Sequence, residues 1–140
     1  MKNKLALMVL TGLVAVALTS AAAFAAIPQF PNFFYGSATL EGAPAPVGSV
    51  VTAVVDHGQA TERHYTLAVT KAGKYGGPKY NQYKLKVGGD LQGDIANGSE
   101  ILFFVTLSTL PVNTSLVPAG SAVFYADGLP HITRLNLVQN

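Results

Sequence analysis

The side chains able to do chemistry are few and scattered. His57, His64 and His131 are the only imidazoles, and there is no cysteine. The histidines are far apart along the chain: one in a turn, one on the outward face of a strand, one at a strand start. A metal site needs ligands at a convergent spacing, and no H-x-H or comparable pattern occurs. No G-x-S-x-G elbow presents a serine nucleophile. The seven acids fall mostly at turns, where solvation accounts for them. The chain is therefore expected to be non-enzymatic, with no cofactor and no resident metal.

Three groupings remain. Asp90, Asp94, Asn97 and Glu100 gather oxygen atoms in a Gly-rich stretch. Asp90, Asp94 and Glu100 are calcium candidates, set against ordinary Asx-turns, and their spacing is not that of an EF-hand loop. Lys74, Tyr75, Lys79, Tyr80, Tyr83 and Lys84 interleave cations with tyrosines. Tyr75 and Tyr80 could stack on sugar rings while Lys74 and Lys79 attract an anionic polysaccharide; the alternative is a solvated hairpin whose tyrosines pack on the core. In the third grouping, Phe30, Phe33 and Phe34 make residues 26–35 a partly apolar extended segment that could add as a strand to a neighbour's sheet. Leu102 and Phe104 would supply the apolar surface on that neighbour. The alternative is that the three phenylalanines cap their own domain, and Pro28 and Pro31 argue against a long donated strand. Asn97-Gly98-Ser99 and Asn113-Thr114-Ser115 match the N-glycosylation pattern, although a chain this rich in Asn, Ser and Thr contains such matches by chance.

These residues depend on elements whose order is legible. Lys2 and Lys4, an apolar run over residues 5–18, and Ala23-Phe24-Ala25 form the n-region, h-region and A-x-A site of a signal peptide, cut after Ala25. The apolar run falls short of the roughly 20 residues that span a bilayer, so no membrane span is expected after cleavage. Without cysteine, lipoprotein anchoring is excluded. The protein is expected outside the cell or on its surface, with the periplasm as the alternative compartment. Nine basic and seven acidic residues give a net charge of +2, and Lys2 and Lys4 leave with the leader. The mature chain is then formally neutral and lacks the concentrated field that nucleic acid requires. With no disulfides, stability must come from one buried core.

Residues 26–32 read as an extended lead-in. From residue 33 the chain alternates with period two, Phe34, Gly36, Ala38 and Leu40 on one face, until Glu41-Gly42 and the Pro44/Pro46/Gly48 region turn it. Further strands are expected over 50–55, 62–70, 82–87, 100–107, 121–126 and 131–138. Tyr65, Leu67 and Val69 point one way, Tyr83, Leu85 and Val87 point inward, and Ile101, Phe103, Val105 and Leu107 share one face of a strand whose other face, at Leu102 and Phe104, is also apolar. The pattern predicts an all-β fold, a single antiparallel Ig-like β-sandwich of about seven strands over residues 33–138. The disulfide and tryptophan of a true immunoglobulin domain are absent.

Phe34-Tyr35-Gly36, the 42–48 turn and Val51-Thr52-Ala53 resemble the opening of a secreted Ig-like module of the carboxypeptidase-regulatory-like (transthyretin-like) type found in prokaryotic surface proteins. Thr70-Lys71-Ala72-Gly73-Lys74-Tyr75-Gly76 resembles that family's T-x-x-G-x-Y turn, and residues 85–90, 101–105 and 135–137 resemble its later strands. The resemblance implies a non-catalytic extracellular module. Three functions follow as expectations: a structural, adhesive or matrix protein; a filament subunit assembled by donation of its N-terminal strand, with other copies as partners; and a carbohydrate-binding module for a cell-surface glycan.

Overall fold

The computed structural model describes residues 28–108 and 115–140; the leader, the cut after Ala25 and the Asn113 sequon lie outside them. In chain order the strands are β1 (Asn32–Leu40), β2 (Ala43–Pro44), β3 (Val50–Val55), β4 (Arg63–Ala68), β5 (Lys74–Tyr75), β6 (Leu85–Val87), β7 (Glu100–Thr106), β8 (Gly120–Val123), β9 (His131–Arg134) and β10 (Leu137–Gln139). They form two sheets, with no helix among the described residues. Each expected strand has a counterpart. The larger number arises because β2 and β5 are two-residue pieces held on β1, and because the last expected strand divides into β9 and β10.

One sheet is antiparallel throughout, in the order β4-β3-β7-β8. The other is not, which corrects the expected all-antiparallel pairing. Its centre is β1, which carries β6, β5 and β2 antiparallel along one edge. Along its other edge β9 and then β10 run parallel to it in one unbroken register, from Asn32↔His131 to Leu40↔Gln139. Alternation alone cannot distinguish a parallel from an antiparallel neighbour, because it sets only which face is buried.

The core lies between the sheets and contains Phe34, Val51, Val55, Leu85, Val87, Ile101, Phe103, Val105, Phe124 and Leu137. Burying a side chain such as Phe103 contributes about 2–3 kcal/mol. Phe34 from one sheet meets Phe103 from the other edge-to-face, with ring centroids 5.0 Å apart. Such a pair adds about 0.5–1.5 kcal/mol. Alternation in β4 is as expected, with His64, Thr66 and Ala68 outward. β3 instead is buried at every position, as befits a strand paired on both edges at the centre of its sheet. Tyr83, expected inward, is 85% exposed, and Leu107, on the face shared with Ile101 and Phe103, is 68% exposed. Both lie outside regular pairing, Tyr83 before β6 begins and Leu107 after β7 ends, so the pleat no longer dictates their direction.

The seam between β1 and the C-terminal strands depends on Gly36. A Cβ there would lie 2.1 Å from the Leu135 carbonyl oxygen. That carbonyl, between β9 and β10, accepts the Tyr75 hydroxyl proton at 2.7 Å. Tyr75 is the antiparallel partner of Gly36, so its side chain reaches across β1 where glycine leaves room. The Leu135 amide donates to Tyr35 at 2.8 Å, and the Asn136 side chain accepts from the Ser37 amide at 3.3 Å. The aromatic and the glycine thus bridge a two-residue gap between β9 and β10.

Side-chain amides tie down what the sheets leave loose. Gln29 donates to and accepts from the Ile95 backbone, at 2.7 and 2.9 Å. Asn32, 1% exposed, does the same to Tyr125, at 2.9 and 3.0 Å. Gln139 accepts from the Val105 amide and donates to the Val117 carbonyl. An amide pairs this way because it carries a donor and an acceptor side by side, as a strand residue does.

Candidate functional site

The lysine- and tyrosine-rich stretch between β4 and β6 borders two concavities among the described residues. A groove of about 580 Å³ runs between β4, at Leu67 and Ala68, and the 76–83 segment, and Lys71, Lys74, Asn81, Gln82 and Tyr83 also line it. A second cleft of about 380 Å³ lies against the same segment and adds Tyr35 and Arg134. Lys74 and Gly76-Gly77-Pro78 border both.

The segment is held by its own polar groups. Gly76 adopts φ 63°, and a Cβ on it would lie 2.6 Å from the Tyr83 carbonyl oxygen; only glycine accommodates both. The Gly77 amide donates to that Tyr83 carbonyl at 3.1 Å, and the Gln82 amide to the Lys79 carbonyl at 3.1 Å. The Gln82 side chain accepts from the Lys79 amide at 3.0 Å. The Lys84 ammonium donates to the Lys79 carbonyl at 2.7 Å and the Gln82 carbonyl at 3.3 Å. On this braced turn the rings of Tyr80 and Tyr83 project into water.

The structure separates the sugar-stacking candidates. Tyr75 is completely buried, and burial pushes its phenol well above the ordinary tyrosine range. It presents no ring face to a ligand, so its place among exposed stacking residues is corrected. Tyr80, Lys74 and Lys79 are exposed. Tyr83 lines the groove but was assigned to the core by alternation. Arg134 was unrecognised because it arrives from β9, far away in the sequence.

The calcium candidates do not converge: no group of three or more metal-ligating side chains occurs among the described residues. Asp90 accepts from the Gln92 amide at 3.0 Å, an Asx-turn. The Arg63 guanidinium donates to the Gly93 and Asp94 carbonyls at 2.6 and 3.2 Å, so a cation already braces this loop. Glu100 lies instead in a cleft of about 230 Å³ with Asp56 and His57. Asn97 is exposed, and its side chain accepts from the Ala126 amide at 2.9 Å.

His57 and His64, seven residues apart in the sequence, meet on Glu62. The distances are 3.0 Å from His57 Nδ1 and 2.5 Å from His64 Nε2. The Gly58 amide donates to the same carboxylate at 2.6 Å. That bond, the His64 contact and the His57 contact hold the Glu62 carboxyl at about 2, far below its ordinary value. His131 pairs with Asp127 at 2.8 Å and stacks on Tyr125. The hydrogen bonds from His131 and the Leu129 amide lower the Asp127 carboxyl.

Of the assembly candidates, Phe34 and Phe104 are buried, Phe33 and Leu102 are half-buried, and Phe30 is 47% exposed. Phe104 therefore offers no open apolar surface; the His57 ring lies 6.0 Å from its own. The segment proposed for donation is engaged within its own chain, through Gln29, Asn32 and both edges of β1. No protein-family model matches the chain, and searches of curated proteins and of solved structures return no significant match.

Proposed function

We propose that this chain is a non-catalytic exported protein with a structural, adhesive or matrix role at the cell surface, built as an Ig-like module of the carboxypeptidase-regulatory-like type. The observation that carries the reading is where the polar side chains are spent. Gln29, Asn32 and Gln139 brace backbone, and each histidine engages a carboxylate in a neighbouring turn. Chemistry that an enzyme would direct at a substrate is directed here at holding loops. The leader-like residues 1–25 support export. Expression of the full coding sequence followed by cell fractionation tests it. Recovery of a processed protein outside the cytoplasm is the expected result, and retention of the unprocessed chain inside rejects it.

A second reading, a carbohydrate-binding module, is favoured by the braced turn that presents Tyr80 and Tyr83 beside the exposed Lys74 and Lys79. Binding of any oligosaccharide by the purified chain supports it.

A further inference from the structure

We propose that the groove between β4 and the 76–83 segment takes an acidic polysaccharide, a chain of carboxylated sugars such as uronates. This deepens the carbohydrate-binding reading and rests on it. The argument begins with charge. Residues 71–86 contain Lys71, Lys74, Lys79, Lys84 and Lys86 and no Asp or Glu. Neither cleft bordering the segment is lined by an acid among the described residues, and Arg134 adds a further cation. The three ion pairs among the described residues all use histidine, so no lysine here is neutralised by a carboxylate. A chain formally neutral after loss of its leader thus concentrates positive charge on one side.

The ammonium groups divide into two sets. Lys84 and Lys86 donate to nearby backbone carbonyls and brace the structure. Lys71, Lys74 and Lys79 are exposed, and the first two border the groove. Cations alone would fit any polyanion. The rest of the lining narrows the choice, because Leu67, Ala68 and Pro78 are apolar, Tyr83 offers an exposed ring, and Asn81 offers an amide, the Gln82 oxygen being held by the Lys79 amide. A pyranose ring has an apolar face for tyrosine and paired hydroxyls for an amide, which donates and accepts at once. A uronate adds the carboxylate that lysine attracts.

Calorimetric titration of the full-length chain with oligogalacturonate, neutral dextran, polyphosphate and single-stranded DNA tests this. Oligogalacturonate is expected to bind, and binding should weaken several-fold as salt rises from about 50 to about 200 mM, through screening. Tyr83→Ala should weaken it about tenfold, and the Lys71→Ala/Lys74→Ala pair by a similar factor. All three side chains are exposed, and circular dichroism checks that the variants stay folded. Dextran binding as tight as oligogalacturonate overturns the acidic assignment while leaving carbohydrate binding intact; silence toward both glycans overturns the two together. Equal binding of polyphosphate or DNA, indifferent to Tyr83→Ala, would identify a general polyanion surface and reject the proposal.

Discussion

Tyr75 and Tyr83 lie in one short stretch of chain, yet they belong to opposite kinds of structure. Tyr75 is fully buried, reaches across β1 where Gly36 leaves space, and gives its hydroxyl to Leu135. Tyr83 stands in water on a turn held by backbone and by Gln82 and Lys84. The first region fixes the fold and presents nothing. The second presents side chains and contributes little to the core. The lesson is that residue type did not decide these roles; the strand pairing around each tyrosine did.

The contrast is most severely tested at Gly36. Placing a methyl group 2.1 Å from the Leu135 oxygen must displace the C-terminal strands, so Gly36→Ala should cost more than about 3 kcal/mol. A denaturation midpoint close to that of the parent would show that the seam is softer than described. Asn32→Ala removes both partners of the Tyr125 backbone and should cost about 2–3 kcal/mol by urea unfolding. Tyr75→Phe keeps the ring and strands the Leu135 carbonyl, for about 1–2 kcal/mol. At the other extreme, Tyr83→Ala and Tyr80→Ala should change stability by less than about 0.5 kcal/mol. If Tyr83→Ala proved as destabilising as Tyr75→Phe, the division between the two regions would fail.

Acid titration sharpens the same division through the β3–β4 turn. The Glu62 carboxyl sits at about 2 in the folded chain against 4.5 ordinarily, so the folded state favours its ionised form. Its contribution is complete above about 4.5 and is lost as pH falls toward 2. Glu62→Gln should therefore flatten that part of the stability–pH curve, measured by thermal melts between pH 2 and 6. The parent alone should show the extra acid sensitivity.

Much of this architecture could be read from the residues. Period-two alternation located the counterparts of all the main strands, put Leu85 inward, and grouped Phe34 with Ala38 and Ile101 with Phe103 on single faces, and all five lie in the core. It misplaced Tyr83 because that residue sits just before β6 begins, where the face assignment lapses. It missed Gln29, Asn32 and Gln139 as structural ties because an amide gives no sign of its partner, and Tyr125 is 93 residues from Asn32. The groove was half-visible: its lysines and its exposed tyrosine fall within one short stretch, residues 71–83. Leu67 and Ala68 come from β4, and the Arg134 of the neighbouring cleft comes from β9. Glu62 was overlooked because joining two histidines through one carboxylate needs the β3–β4 turn to close.

The parallel alliance of β1 with β9 and β10 also bears on when this molecule can fold. Its partners lie 99 residues apart along the chain, as Ser37 and Asn136 do, so one edge of the central strand stays empty until nearly the whole polypeptide exists. Such distant closure is slow to nucleate, since the entropy of joining the ends is lost before any contact offsets it. If the chain is exported as proposed, a growing polypeptide that cannot finish its first sheet would stay threadable through a translocation pore, and the last strands to emerge would complete the fold on the far side.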